Sequence, residues 1–140
     1  PWNIEPKEIE NRAEYPFFSL SWRIDREANQ YQSVFDAAFP QRLNTVYYFG
    51  AKLSATEMLP TYVNLEDTNF ASLYATTHPG DDFAESFATY VHVVLMKRPW
   101  QIEITRNGEV VRILKPCWSE LRCAKKKEML DRLLMRSSYP

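Results

Sequence analysis

The chain has 140 residues with 17 Lys and Arg against 18 Asp and Glu, and its formal charge of -1 creates no field that would draw it to nucleic acid or anionic lipid. Hydrophobic residues make up 45% and aromatic residues 14%, enough to build a core and to exclude a disordered chain. Three scattered glycines, Gly50, Gly80 and Gly108, cannot assemble a dinucleotide fingerprint or a phosphate loop, and no run of roughly eighteen apolar residues offers a membrane span.

The chain opens Pro1-Trp2-Asn3 with no Met and no basic-then-apolar leader, so further residues are expected before Pro1. Residues 1–24 carry three prolines and no sustained period and read as an irregular arm. Within it, the aromatic run Phe17–Trp22 suits a short strand or a packed arm. From Asp25, a good N-cap, Ala28, Tyr31, Val34, Phe35 and Ala38 recur at helical spacing and predict a helix that stops before Pro40. Thr45–Leu53 is β-branched and aromatic but short. Ser54-Ala55-Thr56-Glu57 is a capping box expected to open a short turn ending before Pro60, and a second helix is expected over Asp67–Thr76. Residues 25–97 as a whole thus read as a helical part.

The clearest helix follows Thr77-His78-Pro79-Gly80-Asp81-Asp82. Pro79 suits the first helical position, and the two aspartates complement the positive end of the helix dipole. The helix should run to about Lys97, ahead of Arg98-Pro99. Phe83, Phe87, Tyr90, Val91 and Val94 form a core-facing stripe, while Glu85, Thr89, His92 and Met96 share the other face with both aspartates. Residues 100–115 contain two alternating runs around Asn107-Gly108, a strong hairpin signal. From Trp118 to residue 136 the tail reads as a helix, with Met129, Leu130, Leu133 and Leu134 as its apolar stripe and Lys125–Lys127 exposed. The expected fold is a single α+β domain or lobe, mainly helical, with a β-hairpin near the C-terminus.

Two histidines, His78 and His92, lie fourteen positions apart, so the chain holds no H-E-x-x-H pair and no motif pairs either histidine with a nucleophile. Glu85 and His92 are seven residues apart, about 10.5 Å along a helix, too far to share one ion with ligand bonds of ~2 Å. Asp81, Asp82 and Glu85 crowd three carboxylates onto about one turn. They read either as helix-start acids beside a solvated face or as a place that needs a cation. Cys117 and Cys123, with five residues between them, suit a short disulfide in an exporting compartment or two thiols in the cytosol.

The segment FASLYATTHPGDDFAESFATYVHVV resembles the third-ligand segment of bacterial zinc-binding metallopeptidases, of the type HPxxDxAExxAxYxH. His78, Pro79, Asp82, Ala84, Glu85, Ala88, Tyr90 and His92 match that pattern. The DFAESFA core is similar to the corresponding segment of lethal-factor-like peptidases. In such gluzincins an upstream H-E-x-x-H helix supplies two histidine ligands and the general base, and a Glu from a later helix completes the zinc shell.

The resemblance implies a gluzincin-like C-terminal lobe in which Glu85 is the third zinc ligand. It gives His78 the role of donor to a developing oxyanion or of an orienting group, with Tyr74 as its competitor and ordinary capping or packing as the plain alternative. Asp82 would orient a zinc-bound histidine or simply act as a first-turn acid, and His92 would be structural, hydrogen-bonding across the polar face. It also favours a Cys117–Cys123 disulfide and a secreted or periplasmic protein, with zinc as cofactor of the complete molecule. The partners would be an upstream H-E-x-x-H segment and a peptide or protein substrate. Because the chain itself lacks H-E-x-x-H, it is expected to be inactive alone. A non-catalytic protein-binding module on a degenerate peptidase scaffold is the competing expectation.

Overall fold

A computed structural model describes residues 15–45 and 53–136, with the side chains of the last two residues of that range left aside. In chain order the described elements are β1 (Trp22–Asp25), β2 (Gln30–Ser33), α1 (Met58–Glu66), α2 (Pro79–Tyr90), β3 (Ile102–Arg106), β4 (Glu109–Leu114) and α3 (Ala124–Arg136), joined by short 3-10 turns. The protein is α+β: three α-helices and two separate antiparallel hairpins.

The helix expected from Asp25 is a hairpin instead. Trp22 pairs with Ser33 and Asp25 with Gln30. Asp25 does accept backbone N–H groups two and three residues on, from Glu27 at 3.1 Å and Ala28 at 3.0 Å, as an N-cap would. Its second oxygen, however, accepts from Gln32 Nε2 at 2.8 Å across the hairpin, and Asn29 turns the chain back with φ 50°. The same side-chain chemistry serves a helix start and a turn, and long-range packing decides between them. Here Trp22 is buried against Phe70, and Ser33 Oγ donates to Ser21 O at 3.0 Å.

The capping box at Ser54–Glu57 forms, but the helix it opens does not stop before Pro60. Pro60 falls in the first turn of α1, where a missing N–H has little to lose, and α1 continues to Glu66. The helix expected over Asp67–Thr76 is replaced by irregular chain and a 3-10 turn at Tyr74–Thr76. The carbonyls that a continuing helix would use are taken by other groups. Arg122 Nη1 donates to Leu65 O, Thr68 O and Phe70 O at 3.4, 2.9 and 3.3 Å, and Thr68 Oγ1 donates to Leu65 O at 2.7 Å. Most of the Thr45–Leu53 stretch lies outside the described residues.

The helix after His78 forms as expected, α-helical to Tyr90 and then π-helical over Val91–Leu95 before Lys97 adopts a left-handed φ of 53°. The Asn107-Gly108 hairpin also forms. Both turn residues have positive φ, 54° and 83°, the primed geometry that matches strand twist. Most of β4 is exposed, and an Arg112–Glu66 ion pair ties the hairpin to α1. The terminal helix starts at Ala124 rather than at Trp118, because two 3-10 turns, Cys117–Ser119 and Leu121–Cys123, precede it. Cys117 and Cys123 are joined by a disulfide across these turns.

Two apolar clusters form the core. One gathers Phe18, Trp22, Phe39, Leu65, Phe70 and Ala75; the other gathers Tyr90, Cys117, Trp118, Cys123 and Leu130, flanked by Phe83, Phe87, Val91 and Val94. The side chain of Lys126 lies between them, its ammonium 5.1 Å from the Phe17 ring and 5.0 Å from the Phe70 ring. Lys126 is 1% exposed, which corrects the expectation that all of Lys125–Lys127 is solvated. It sits four residues before Leu130 on the same stripe of α3, so helical spacing alone carries it inward.

Candidate functional site

α2 presents two chemically different faces. Asp82, Ser86 and Tyr90 recur every four residues and are all buried, so the inward stripe is centred beside the one expected from Phe83, Phe87 and Val91. Asp82 therefore does not share a polar outer face with Glu85. Its Oδ1 accepts from Lys126 Nζ at 2.5 Å and from Ser86 Oγ at 3.3 Å, and its Oδ2 accepts from Trp22 Nε1 at 3.1 Å. The carboxylate and its ammonium are both removed from water, with relative side-chain exposures of 0% and 1%. Such a pair survives only if hydrogen bonds satisfy its remaining polar atoms, as Trp22 and Ser86 do here. Burial pushes the Lys126 ammonium below the usual lysine range, while the Asp82 carboxylate pulls the other way.

Glu85 lies half-buried on the flank of that inward stripe, the exposed side of the helix being Ala84 and Ala88, with Thr89 one turn on donating to the Glu85 backbone carbonyl at 2.7 Å. The Glu85 carboxylate accepts one hydrogen bond, from Ser72 Oγ to Oε2 at 2.7 Å, and Oε1 has no hydrogen bond to any described residue. Asp81, next to Asp82 in the first turn, accepts from Thr77 Oγ1 at 2.7 Å beside the helix start.

His78 is the N-cap of α2, and its Nδ1 accepts from the Gly80 N–H at 3.1 Å. In the neutral ring the proton then belongs on Nε2, which makes that nitrogen a donor. Its ring also meets Tyr31 edge-on, with centroids 5.0 Å apart. Capping and packing are thus observed for His78. Tyr74 stands at the start of the 3-10 turn before the helix, half-buried. His92 lies in the π-helical turn, exposed, its Nε2 3.2 Å from Pro99 O. It serves the chain reversal after the helix rather than bonding across the face of α2.

Farther along the inward face, the Tyr90 hydroxyl donates to Asp131 on α3. Burial and the adjacent Asp131 push the Tyr90 hydroxyl up to about 12, and the hydrogen bonds from Tyr90 and Lys127 hold Asp131 below the usual carboxylate range. Two features escaped the sequence reasoning. Ser72 is thirteen residues before Glu85 and has no local pattern to mark it. Lys126 could have been found by extending the Leu130–Leu134 stripe one turn toward the N-terminus.

A family model described as "Putative zinc-binding metallo-peptidase" matches residues 28–131, about three quarters of the chain. The chain belongs to this family. The family's description agrees with the resemblance carried by the His78–His92 segment. No curated protein and no solved structure gives a significant match.

Do the residues in hand suit the zinc that the family implies? A structural or catalytic zinc takes three or four protein donors. Among the described residues no three His, Cys, Asp or Glu side chains converge on one point. Asp82 is committed to Lys126, His78 Nδ1 to Gly80, and both cysteines to each other. Glu85, oriented by a single hydroxyl and with one oxygen unengaged, fits one position in a zinc shell. No helix among the described residues is long and apolar enough to cross a membrane.

Proposed function

We propose that this chain is the C-terminal lobe of a zinc-dependent metallopeptidase of gluzincin type, which hydrolyses peptide bonds, and that Glu85 is the third zinc ligand. The remaining ligands and the general base then come from an upstream H-E-x-x-H segment. The observation that carries the reading is the combination of family membership over residues 28–131 with a Glu85 carboxylate that, among the described residues, one hydroxyl orients and no cation pairs. Zinc, when bound, polarises the scissile carbonyl and lowers the pKa of a coordinated water.

The chain's own residues have defined parts in this reading. α2 holds Glu85 on the flank of its buried stripe, where Asp82, three residues earlier, is anchored by Lys126 and Trp22. His78, with Nδ1 capping the helix and the proton on Nε2, is suited to donate a hydrogen bond to an oxyanion, and Tyr74 is the second candidate for that work. The buried Cys117–Cys123 disulfide supports export to an oxidising compartment, the periplasm or the exterior.

The test is Glu85→Gln in the protein expressed with its native upstream sequence. Zinc stoichiometry and peptidase activity should both fall to background while the circular dichroism spectrum is unchanged. Full activity in that variant would end the proposal. A mature protein that begins at Pro1, carries no companion fragment and binds no zinc would instead favour the non-catalytic binding module.

A further inference from the structure

Among the described residues, the one hydrogen bond to the Glu85 carboxylate comes from a residue that no motif marks. Ser72 lies in the irregular chain before the Tyr74–Thr76 turn and is buried, at 9% exposure. Its Oγ accepts the Ala75 N–H at 3.1 Å, which fixes the rotamer and leaves its own proton to be given away. That proton goes to Glu85 Oε2 at 2.7 Å. An ionised carboxylate can only accept, so donor and acceptor are unambiguous in this pair.

We propose that Ser72 is the positioning residue of the Glu85 ligand: by holding Oε2, it leaves Oε1 as the oxygen offered to the metal. The inference rests on Glu85 being a zinc ligand. Three points of attachment then define that oxygen. The Asp82–Lys126 pair sets the rotation of α2 one turn away, the Ala75 N–H sets the Ser72 hydroxyl, and the hydroxyl sets the carboxylate. A glutamate side chain has three rotatable bonds, so a ligand held this way loses little rotamer freedom when the ion arrives. Without Ser72 the same carboxylate must be ordered at the expense of binding.

The experiment measures the affinity for zinc ion alone, by competition with a chromophoric chelator, in protein expressed with its native upstream sequence. Four forms are compared: the wild type, Ser72→Ala, Ser72→Thr and Glu85→Gln. The metal-free thermal midpoint of each is recorded alongside. Ser72→Ala should weaken zinc binding by about 10- to 100-fold, the usual effect of losing a hydrogen bond to a ligand, and Ser72→Thr should restore most of it. A purely structural role for Ser72 would lower the metal-free midpoint without this dependence on the hydroxyl. Wild-type affinity in Ser72→Ala, with Glu85→Gln weakened, overturns the positioning role and leaves the ligand reading standing. Equal weakening in the Ala and Thr variants also overturns it. Unchanged affinity in Glu85→Gln removes the ligand reading itself.

Discussion

The buried stripe of α2 and the flank beside it carry the same kind of group, a carboxylate, and do opposite things with it. On the inward face a carboxylate, Asp82, is sealed from water and satisfied by Lys126, Trp22 and Ser86. On the flank beside it, three residues later, Glu85 is half-buried and receives one hydroxyl from the described residues. The contrast teaches that an acidic cluster on one helix is not one site. Charge that is fully paired holds the fold, and charge left with an open oxygen is available for chemistry.

The strongest way to break the inward face is Asp82→Ala. It strands the Lys126 ammonium in the core between two aromatic rings and leaves the Trp22 N–H without its acceptor. The expected cost is about 3–5 kcal/mol by urea denaturation. Adding Lys126→Met should recover part of it, because no charge is then left unpaired. Failure of the second substitution to recover any stability would show that the ion pair is not what Asp82 contributes.

A smaller effect is expected from Tyr90→Phe, which removes the hydroxyl given to Asp131. The loss should be about 1.5 kcal/mol at neutral pH. The pH profile supplies a second check. Asp131 is held below its ordinary value in the folded state, so its contribution is present above the unfolded carboxylate pKa, about 3.9, and fades as pH falls through the lower folded value. Tyr90 is held above its ordinary value, so its contribution is full below about 10 and is lost as pH rises toward about 12. The Phe variant should flatten both limbs of the stability curve, measured by denaturation across pH.

The smallest stability change belongs to Glu85. Glu85→Gln keeps an oxygen to accept from Ser72 and strands no charge, so the metal-free protein should stay within about 0.5 kcal/mol of wild type. A loss comparable with that of Asp82→Ala would place Glu85 in the structural network and erase the distinction between the two carboxylates.

The elements that the sequence made legible are those whose signals are local. The Asn107-Gly108 turn needs only two residues that tolerate positive φ, and the start of α2 needs only Pro79 and the acids beside it. The capping box at Ser54–Glu57 forms for the same reason. Asp25 and its followers failed because their local chemistry fits a helix start and a hairpin turn equally, and the burial of Trp22 selected the hairpin. The stretch after Glu66 failed because Arg122, more than fifty residues away, takes its carbonyls.

The candidate site divides along the same line. Sequence by itself determined the α+β class, the helix that carries Glu85, and the pattern of residues that resembles a third-ligand segment, because periodicity and caps act over a few residues. Tertiary structure alone decided that Asp82 is buried against Lys126, that Ser72 reaches Glu85, and that Lys126 lies in the core. Those outcomes depend on which side chains can exclude water together, and burial is a property of the folded whole that no short stretch of sequence contains.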